Sequence, residues 1–323
     1  MIYAALKWIT GIALHWFYGD IRIVGKEKIP AQGPLLIGVN HQNALVDSLI
    51  VGWVVPRRIA MTAKATLADN PLIAFVFRIL HVVPLRRVSD EARKQSGLPV
   101  DRSRNREAFS EIIDLLGQGG AVLIFPEGKS HNEFGLEPLK TGLARLALQA
   151  RDKGIKEIRI LPLGLVFEDK GTPGSAVGAR IGEAIEMDSW SIADHTVLTD
   201  EIANRLRAVS EIAGLPPKGS SSQEPPKDSI RERLIASAAW WGRLTHQTPV
   251  RIARSLAVKR STNADEPAML TILFGIGLVL VTYVIHLAIV GALGHSILID
   301  ALYLLGLLTG AYWAAFEQHP RRY

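Results

Sequence analysis

The stretch Asn40-His41-Gln42-Asn43-Ala44-Leu45-Val46-Asp47 sets a histidine close to a carboxylate, directly after the apolar run Leu35–Val39. A short continuous apolar run of this kind reads as a buried strand. A neutral imidazole whose tautomer is fixed by an acid is suited to taking a proton from a hydroxyl near neutral pH. Further along, Phe125-Pro126-Glu127-Gly128 closes a second apolar run, 121–125, and puts a carboxylate on the turn after it. Open α/β sheets carry their chemistry at the carboxyl ends of strands. Two strand-end segments with complementary groups therefore predict one site assembled from both.

The spacing constrains the local backbone. On a regular helix, six residues turn roughly 600° and rise about 9 Å, which leaves two side chains roughly 120° apart. His41 and Asp47 can meet only if the segment begins as an irregular turn, with Asn40 or Asn43 suited to non-helical backbone or to an N-cap. The other reading is a loop histidine beside a first-turn carboxylate favoured by the helix dipole.

Four ordered blocks resemble the glycerolipid acyltransferase family, whose members acylate glycerol 3-phosphate or lysophosphatidate from acyl-CoA or acyl-carrier protein. They are Asn40 to Asp47, Val82-Val83-Pro84-Leu85-Arg86-Arg87, Phe125-Pro126-Glu127-Gly128 with Lys129-Ser130-His131, and Ile160-Leu161-Pro162-Leu163-Gly164-Leu165. The resemblance covers most of residues 30–170. It departs at one point: five residues, 42–46, lie between His41 and Asp47. The family's commonest block is one residue shorter there, and the longer form is similar to that of some eukaryotic-type glycerol-3-phosphate acyltransferases.

The resemblance implies His41 as general base and Asp47 as its orienting partner. Arg87, with Arg86 beside it, would contact the acceptor's phosphate, for which a guanidinium is a matched fork; both could instead be surface arginines opening a charged loop. The resemblance also assigns Glu127 to acceptor binding, either holding an arginine or accepting from the glycerol hydroxyl. Capping the next helix is the alternative. Gly128 permits close backbone approach in its turn, and Ser130 offers a hydroxyl to phosphate. No cofactor is expected, since acyl-CoA or acyl-carrier protein is itself the donor substrate. No metal is expected either, because His41, Asp47, His131 and Glu133 match no ligand spacing. With no cysteines in the chain, a cysteine acyl-enzyme is excluded. The absence of a Gly-x-Ser-x-Gly elbow favours direct attack in a ternary complex.

The elements that must position these groups read as an α/β domain, a mixed sheet flanked by helices, over residues 21–213. Strands are expected at 35–39, 81–85, 121–125, 158–166 and 179–181, and helices at 45–54, 71–79, 105–116, 140–151 and 200–213. Residues 87–106 read as a charged surface loop, and 214–229, rich in Pro, Gly and Ser, as a linker.

Charge and hydropathy place the chain at a membrane. Residues 230–260 hold seven basic residues and one acid, a net +6 equal to the excess of the whole chain. The basic charge therefore belongs to one segment, and no nucleic-acid partner is expected. Interleaved with Trp240, Trp241 and aliphatic residues, it suits an amphipathic helix in an anionic interface. Residues 268–299 contain no Asp, Glu, Lys or Arg, and 269–290 alone is 22 residues, enough to cross the hydrocarbon. With Ile297–Phe316 it predicts a C-terminal two-helix transmembrane hairpin, 268–317. Arg251, Arg254, Lys259 and Arg260 before it and Arg321 and Arg322 after it place the catalytic domain on the cytoplasmic face of the inner membrane. Residues 1–20, with Trp8, Trp16 and Phe17, read as a helix docking the domain on the bilayer, or as a first helix packed on the core. The substrate expected is 1-acylglycerol 3-phosphate. The alternatives are glycerol 3-phosphate, another lysolipid, or a non-enzymatic lipid-binding scaffold.

Overall fold

The structure, a computed structural model, describes residues 2–65, 82–85, 106–131, 135–190, 193–212, 214–216, 230–261, 266–293 and 296–316. Among these the elements run α1 (Ile2–Phe17), β1 (Asp20–Val24), β2 (Leu35–Val39), α2 (Ala44–Val54), β3 (Ala60–Lys64), β4 (Val82–Leu85), α3 (Arg106–Gly117), β5 (Ala121–Ile124), α4 (Gly142–Asp152), β6 (Arg159–Phe167), β7 (Ala176–Ile181), β8 (Ile185–Glu186), α5 (His195–Ser210), α6 (Ile230–Arg260), α7 (Glu266–Ala292) and α8 (Ile297–Phe316).

The strands form one mixed sheet in the order β1-β7-β6-β2-β5-β3-β4, with β8 pairing β6. From β6 through β4 all neighbours are parallel, whereas β6 and β7 run antiparallel. The central strand β2 is buried at every position, as expected of a parallel strand covered on both faces. One face is covered by α1, α2 and the start of α7, through Leu14, Phe17, Ile50, Val54 and Ile272. The other is covered by α3, α4 and α5, through Ile112, Leu116, Leu143, Ala147 and Leu206. The register of β2 against β5 pairs Leu35 with Ala121 and Gly38 with Ile124, so the turns after both strands emerge side by side.

The expected strands 35–39, 121–125 and 158–166 correspond to β2, β5 and β6 within a residue. Three further strands were not anticipated. Asp20–Val24 alternates polar and apolar residues over four positions only and is fully buried at none, Ala60–Lys64 lacks β-branched residues apart from Thr62, and Ile185–Glu186 is too short for any period. The last helix of the domain begins earlier than expected, because Asp194 caps it by accepting from the Thr196 N–H. The expected helix at 71–79 and the expected loop at 87–106, except for Arg106, which opens α3, lie outside the described residues.

The C-terminal helices α7 and α8 are each long and apolar enough to cross a membrane. Their apolar side chains, among them Leu280, Val284, Ile289, Leu302 and Leu305, face outward rather than into protein. The basic segment forms a single helix, α6, that packs between α7 and α8. Its buried residues Ala239, Gly242, His246, Pro249, Ala253 and Ala257 form a stripe of mostly small residues at helical spacing. That stripe runs beneath the basic and aromatic pattern. At its centre a Cβ added to Gly242 would lie only 1.9 Å from the Gly310 carbonyl oxygen, so two helix backbones touch. Gly275 likewise faces Ala253, while Gly277 and Gly306 border open space. Helix α1 lies across α2 and α8, with the Trp16 indole N–H donating to the Ala311 carbonyl at 3.2 Å.

Candidate active site

The loop between β2 and α2 is built around one carboxylate oxygen. Asp47 Oδ2 accepts from the backbone N–H of Gln42 and of Asn43, both at 2.8 Å, and lies 3.0 Å from His41 Nδ1. An oxygen already accepting two N–H bonds carries no proton, so the His41 proton sits on Nδ1 and the Nε2 lone pair is left over. The helix starts only at Ala44, and residues 40–43 fold back over its first turn. The six-residue separation is thus closed by an irregular turn, as the geometry required. Asn43 occupies the cap position but makes no side-chain cap bond, and Asp47 supplies those acceptors instead. Ala44 adopts φ +43°, a left-handed conformation that costs a non-glycine residue about 1–3 kcal/mol.

Each flank of the loop is pinned. The Asn40 side chain makes two bonds with the Leu165 backbone of β6, donating to its carbonyl at 2.9 Å and accepting from its N–H at 2.7 Å. The Asn43 amide donates to the Tyr18 hydroxyl at 2.8 Å, and that hydroxyl donates to the Lys170 carbonyl at 3.1 Å. Burial, and then the nearby Asp47 charge, hold the Tyr18 phenol well above its ordinary range, so it remains a neutral donor. The Lys170 ammonium donates to the carbonyls of Gln42 and His131 at 2.7 and 3.3 Å. The Phe125 ring stacks flat on the His41 imidazole, with centroids 3.9 Å apart. Sequence reasoning assigned no part to Tyr18 or Lys170; they come from distant segments and match no block. Asn40 carried a signal, a polar side chain at the end of a buried strand.

The Phe125-Pro126-Glu127-Gly128 turn stands against this loop. Glu127 is 1% exposed, and both its oxygens are occupied by protein. Oε1 accepts from the His41 N–H at 2.6 Å, and Oε2 accepts from the Glu137 N–H at 2.8 Å and from His131 Nε2. The carboxylate expected to meet an acceptor is therefore turned inward as a brace of the His41 peptide; it caps no helix, since α4 begins only at Gly142. Gly128 adopts φ +79° and lets the chain turn back. Lys129 pairs with Glu137 at 3.0 Å, and Ser130 is half-buried beside it. The structure thus brings His41, Asp47, Glu127 and His131 together. The expectations for Arg86, Arg87 and Glu133 lie outside the described residues, although β4, which precedes the arginines, ends on the same edge of the sheet. Chemically, the arrangement is an imidazole with a fixed tautomer at the carboxyl end of a central parallel strand, a group able to take a proton through Nε2.

Comparison with known proteins is consistent with this reading. Residues 20–166 match the family model described as Acyltransferase. Glycerol-3-phosphate O-acyltransferase 1 of Saccharomyces cerevisiae is 22% identical over 273 residues, covering 60% of this chain and 36% of that protein. A 1-acyl-sn-glycerol-3-phosphate acyltransferase of Limnanthes douglasii is 27% identical over 143 residues, 44% of this chain and 46% of that protein. The chain therefore spans less than half the length of either relative. Among solved structures, the 1-acyl-sn-glycerophosphate acyltransferase PlsC of Thermotoga maritima superposes with a TM-score of 0.51 at 22% identity, covering 67% of this chain and 82% of that one. At that identity the likeness is one of fold.

Proposed function

We propose, from the premise that residues 20–166 form a domain of the acyltransferase family, that the protein transfers a fatty acyl group from a thioester to a hydroxyl of a glycerol-phosphate lipid, foremost 1-acylglycerol 3-phosphate. The observation that carries this reading is the His41–Asp47 pair at 3.0 Å, with the tautomer set by the two further N–H groups on the same carboxylate oxygen. His41 Nε2 takes the proton from the acceptor hydroxyl as its oxygen attacks the thioester carbonyl. The tetrahedral oxyanion then collapses with loss of the thiolate, which recovers the proton from the imidazolium. Asp47 and the flat face of Phe125 stabilise that imidazolium. Arg86 or Arg87, which follow β4 in sequence, would meet the acceptor phosphate. The donor is acyl-CoA or acyl-carrier protein.

Helices α7 and α8 supply the lipid attachment that a lipid acceptor calls for. The basic residues flanking them favour a cytoplasmic catalytic domain, where the thioester donors reside. Glycerol 3-phosphate is the second reading, favoured by the five residues between His41 and Asp47 and by the name of the yeast relative.

Purified protein in detergent, given labelled acyl-CoA or acyl-carrier protein with lysophosphatidate and glycerol 3-phosphate side by side, tests both. Transfer to lysophosphatidate that is abolished in His41→Ala is the expected result. Transfer to glycerol 3-phosphate alone establishes the second reading. Transfer to neither, or transfer undiminished in the variant, removes the proposal.

A further inference from the structure

We propose that His131 is a positioning residue for the base: through Glu127 and its own backbone it fixes the His41 peptide from both sides. The inference rests on the acyl-transfer reading and extends it to a residue that reading does not use. The peptide of His41 has one donor and one acceptor, and both go to the 127–131 turn. The N–H donates to Glu127 Oε1 at 2.6 Å, and the carbonyl accepts from the His131 N–H at 3.1 Å. Glu127 can do this only if its carboxylate is held still, which requires donors on its other oxygen. These are the Glu137 N–H and His131 Nε2. Among the described residues, His131 is the only basic side chain within ion-pair distance of this buried carboxylate.

Burial makes the pairing consequential. A carboxylate this far from water is costly unless its lone pairs are satisfied. Because Glu127 Oε2 accepts from the Glu137 N–H as well, it is an acceptor, and His131 Nε2 must be the donor. The other ring nitrogen, Nδ1, is buried with no partner among the described residues, so Glu127 is the contact there that sets the ring's rotation. Removing the imidazole takes one of the two donors from Glu127 Oε2, which loosens the carboxylate and, through Oε1, the bond to the His41 N–H. The His41 ring itself stays attached to Asp47 and Phe125, but on a peptide held firmly only at its carbonyl, by the His131 N–H. A displacement of about 1 Å of a reacting group can lower turnover on the order of 10²-fold.

The test compares His131→Leu with His131→Gln in the full-length protein, using oleoyl-CoA and 1-oleoylglycerol 3-phosphate. Leucine removes the donor, whereas glutamine can place an N–H where Nε2 stood. His131→Leu is expected to lower kcat about 10- to 100-fold with both KM values within about threefold, and His131→Gln to recover to within about fivefold of wild type. If His131→Leu keeps kcat within twofold, or if the glutamine variant is as slow as the leucine variant, the inference is overturned. A second readout needs no turnover: the rate at which diethyl pyrocarbonate modifies His41, followed by peptide mass spectrometry. It should rise severalfold in His131→Leu, and an unchanged rate overturns the inference. If the wild type transfers no acyl group, the acyl-transfer reading falls, and the modification rate alone decides the role of His131.

Discussion

His41 has one ring nitrogen to offer because Asp47 Oδ2 receives three donors, two backbone N–H groups and the imidazole. Asp47→Asn keeps the size and can put its oxygen where Oδ2 stood, but it removes the negative charge facing the imidazole and sets an amide NH2 where the buried Oδ1 lies without a partner among the described residues. Turnover should drop by at least about 10²-fold with little change in KM, since the lost interaction acts on the imidazolium of the transition state. Steady-state kinetics on both substrates decide this, and a rise in KM at constant kcat would refute it. The strained neighbour predicts the opposite sign for stability. Ala44 sits at φ +43°, so Ala44→Gly should stabilise the fold by about 0.5–1 kcal/mol in chemical denaturation. A loss of stability would show that the conformation is not strained. The pairing of His41 with Asp47 was legible in the chain because two chemical types stood at a spacing only a non-helical turn could close. The inward turn of Glu127 was not, because a carboxylate on a strand-end turn looks the same in sequence whether it faces a ligand or a buried peptide.

At the scale of elements, the same division recurs between what periodicity reports and what contact decides. The strands β2, β5 and β6 were legible as apolar runs, since central parallel strands are buried on both faces. The edge strand β1 and the short β8 carry no such pattern, because their pairing is fixed by neighbours distant in sequence. Helix α6 shows the limit most clearly. Its charges and tryptophans advertise an interfacial helix, while the small residues that seat it against α8 look unremarkable until Gly310 is placed opposite Gly242. Gly242→Val should therefore separate α6 from α8 and lower the melting temperature in detergent. Gly277→Val, with open space around it, should not. The turn between β6 and β7 gives a pH prediction. Asp169 is held below the ordinary carboxylate range by the Thr172 hydroxyl and the Gly171 N–H, against a smaller effect of burial. A lowered folded-state value means the stabilisation is fully present above the ordinary range and is lost as pH falls through the folded value. Stability measured by urea should decline below about pH 4, and Asp169→Asn should flatten part of that decline. Lys170 follows directly in this turn, so the same acidification loosens the grip on Gln42 and His131.

For the whole molecule, the open matter is how the sheet domain and the C-terminal helices share a membrane. The start of α7 packs into the domain's core through Ala268 and Ile272, and α8 ends beside α1, so both helices leave from and return to the domain. Their outward faces are apolar along most of their length, a surface suited to lipid. If both cross, Ser296 lies on the far side and Ser261 on the near side. Cysteine-free background makes this directly measurable, because a single introduced thiol is then the only target for a maleimide. Ser296→Cys should react with a membrane-impermeant maleimide added to intact cells. Ser261→Cys should react only after the cells are opened. Should both thiols require opened cells, the hairpin does not cross but inserts from one side, with α6 alongside it, and the sheet domain would be held by a monotopic bundle. Only a crossing hairpin lets the flanking arginines and lysines fix which side the sheet domain faces, since their effect depends on a segment that spans.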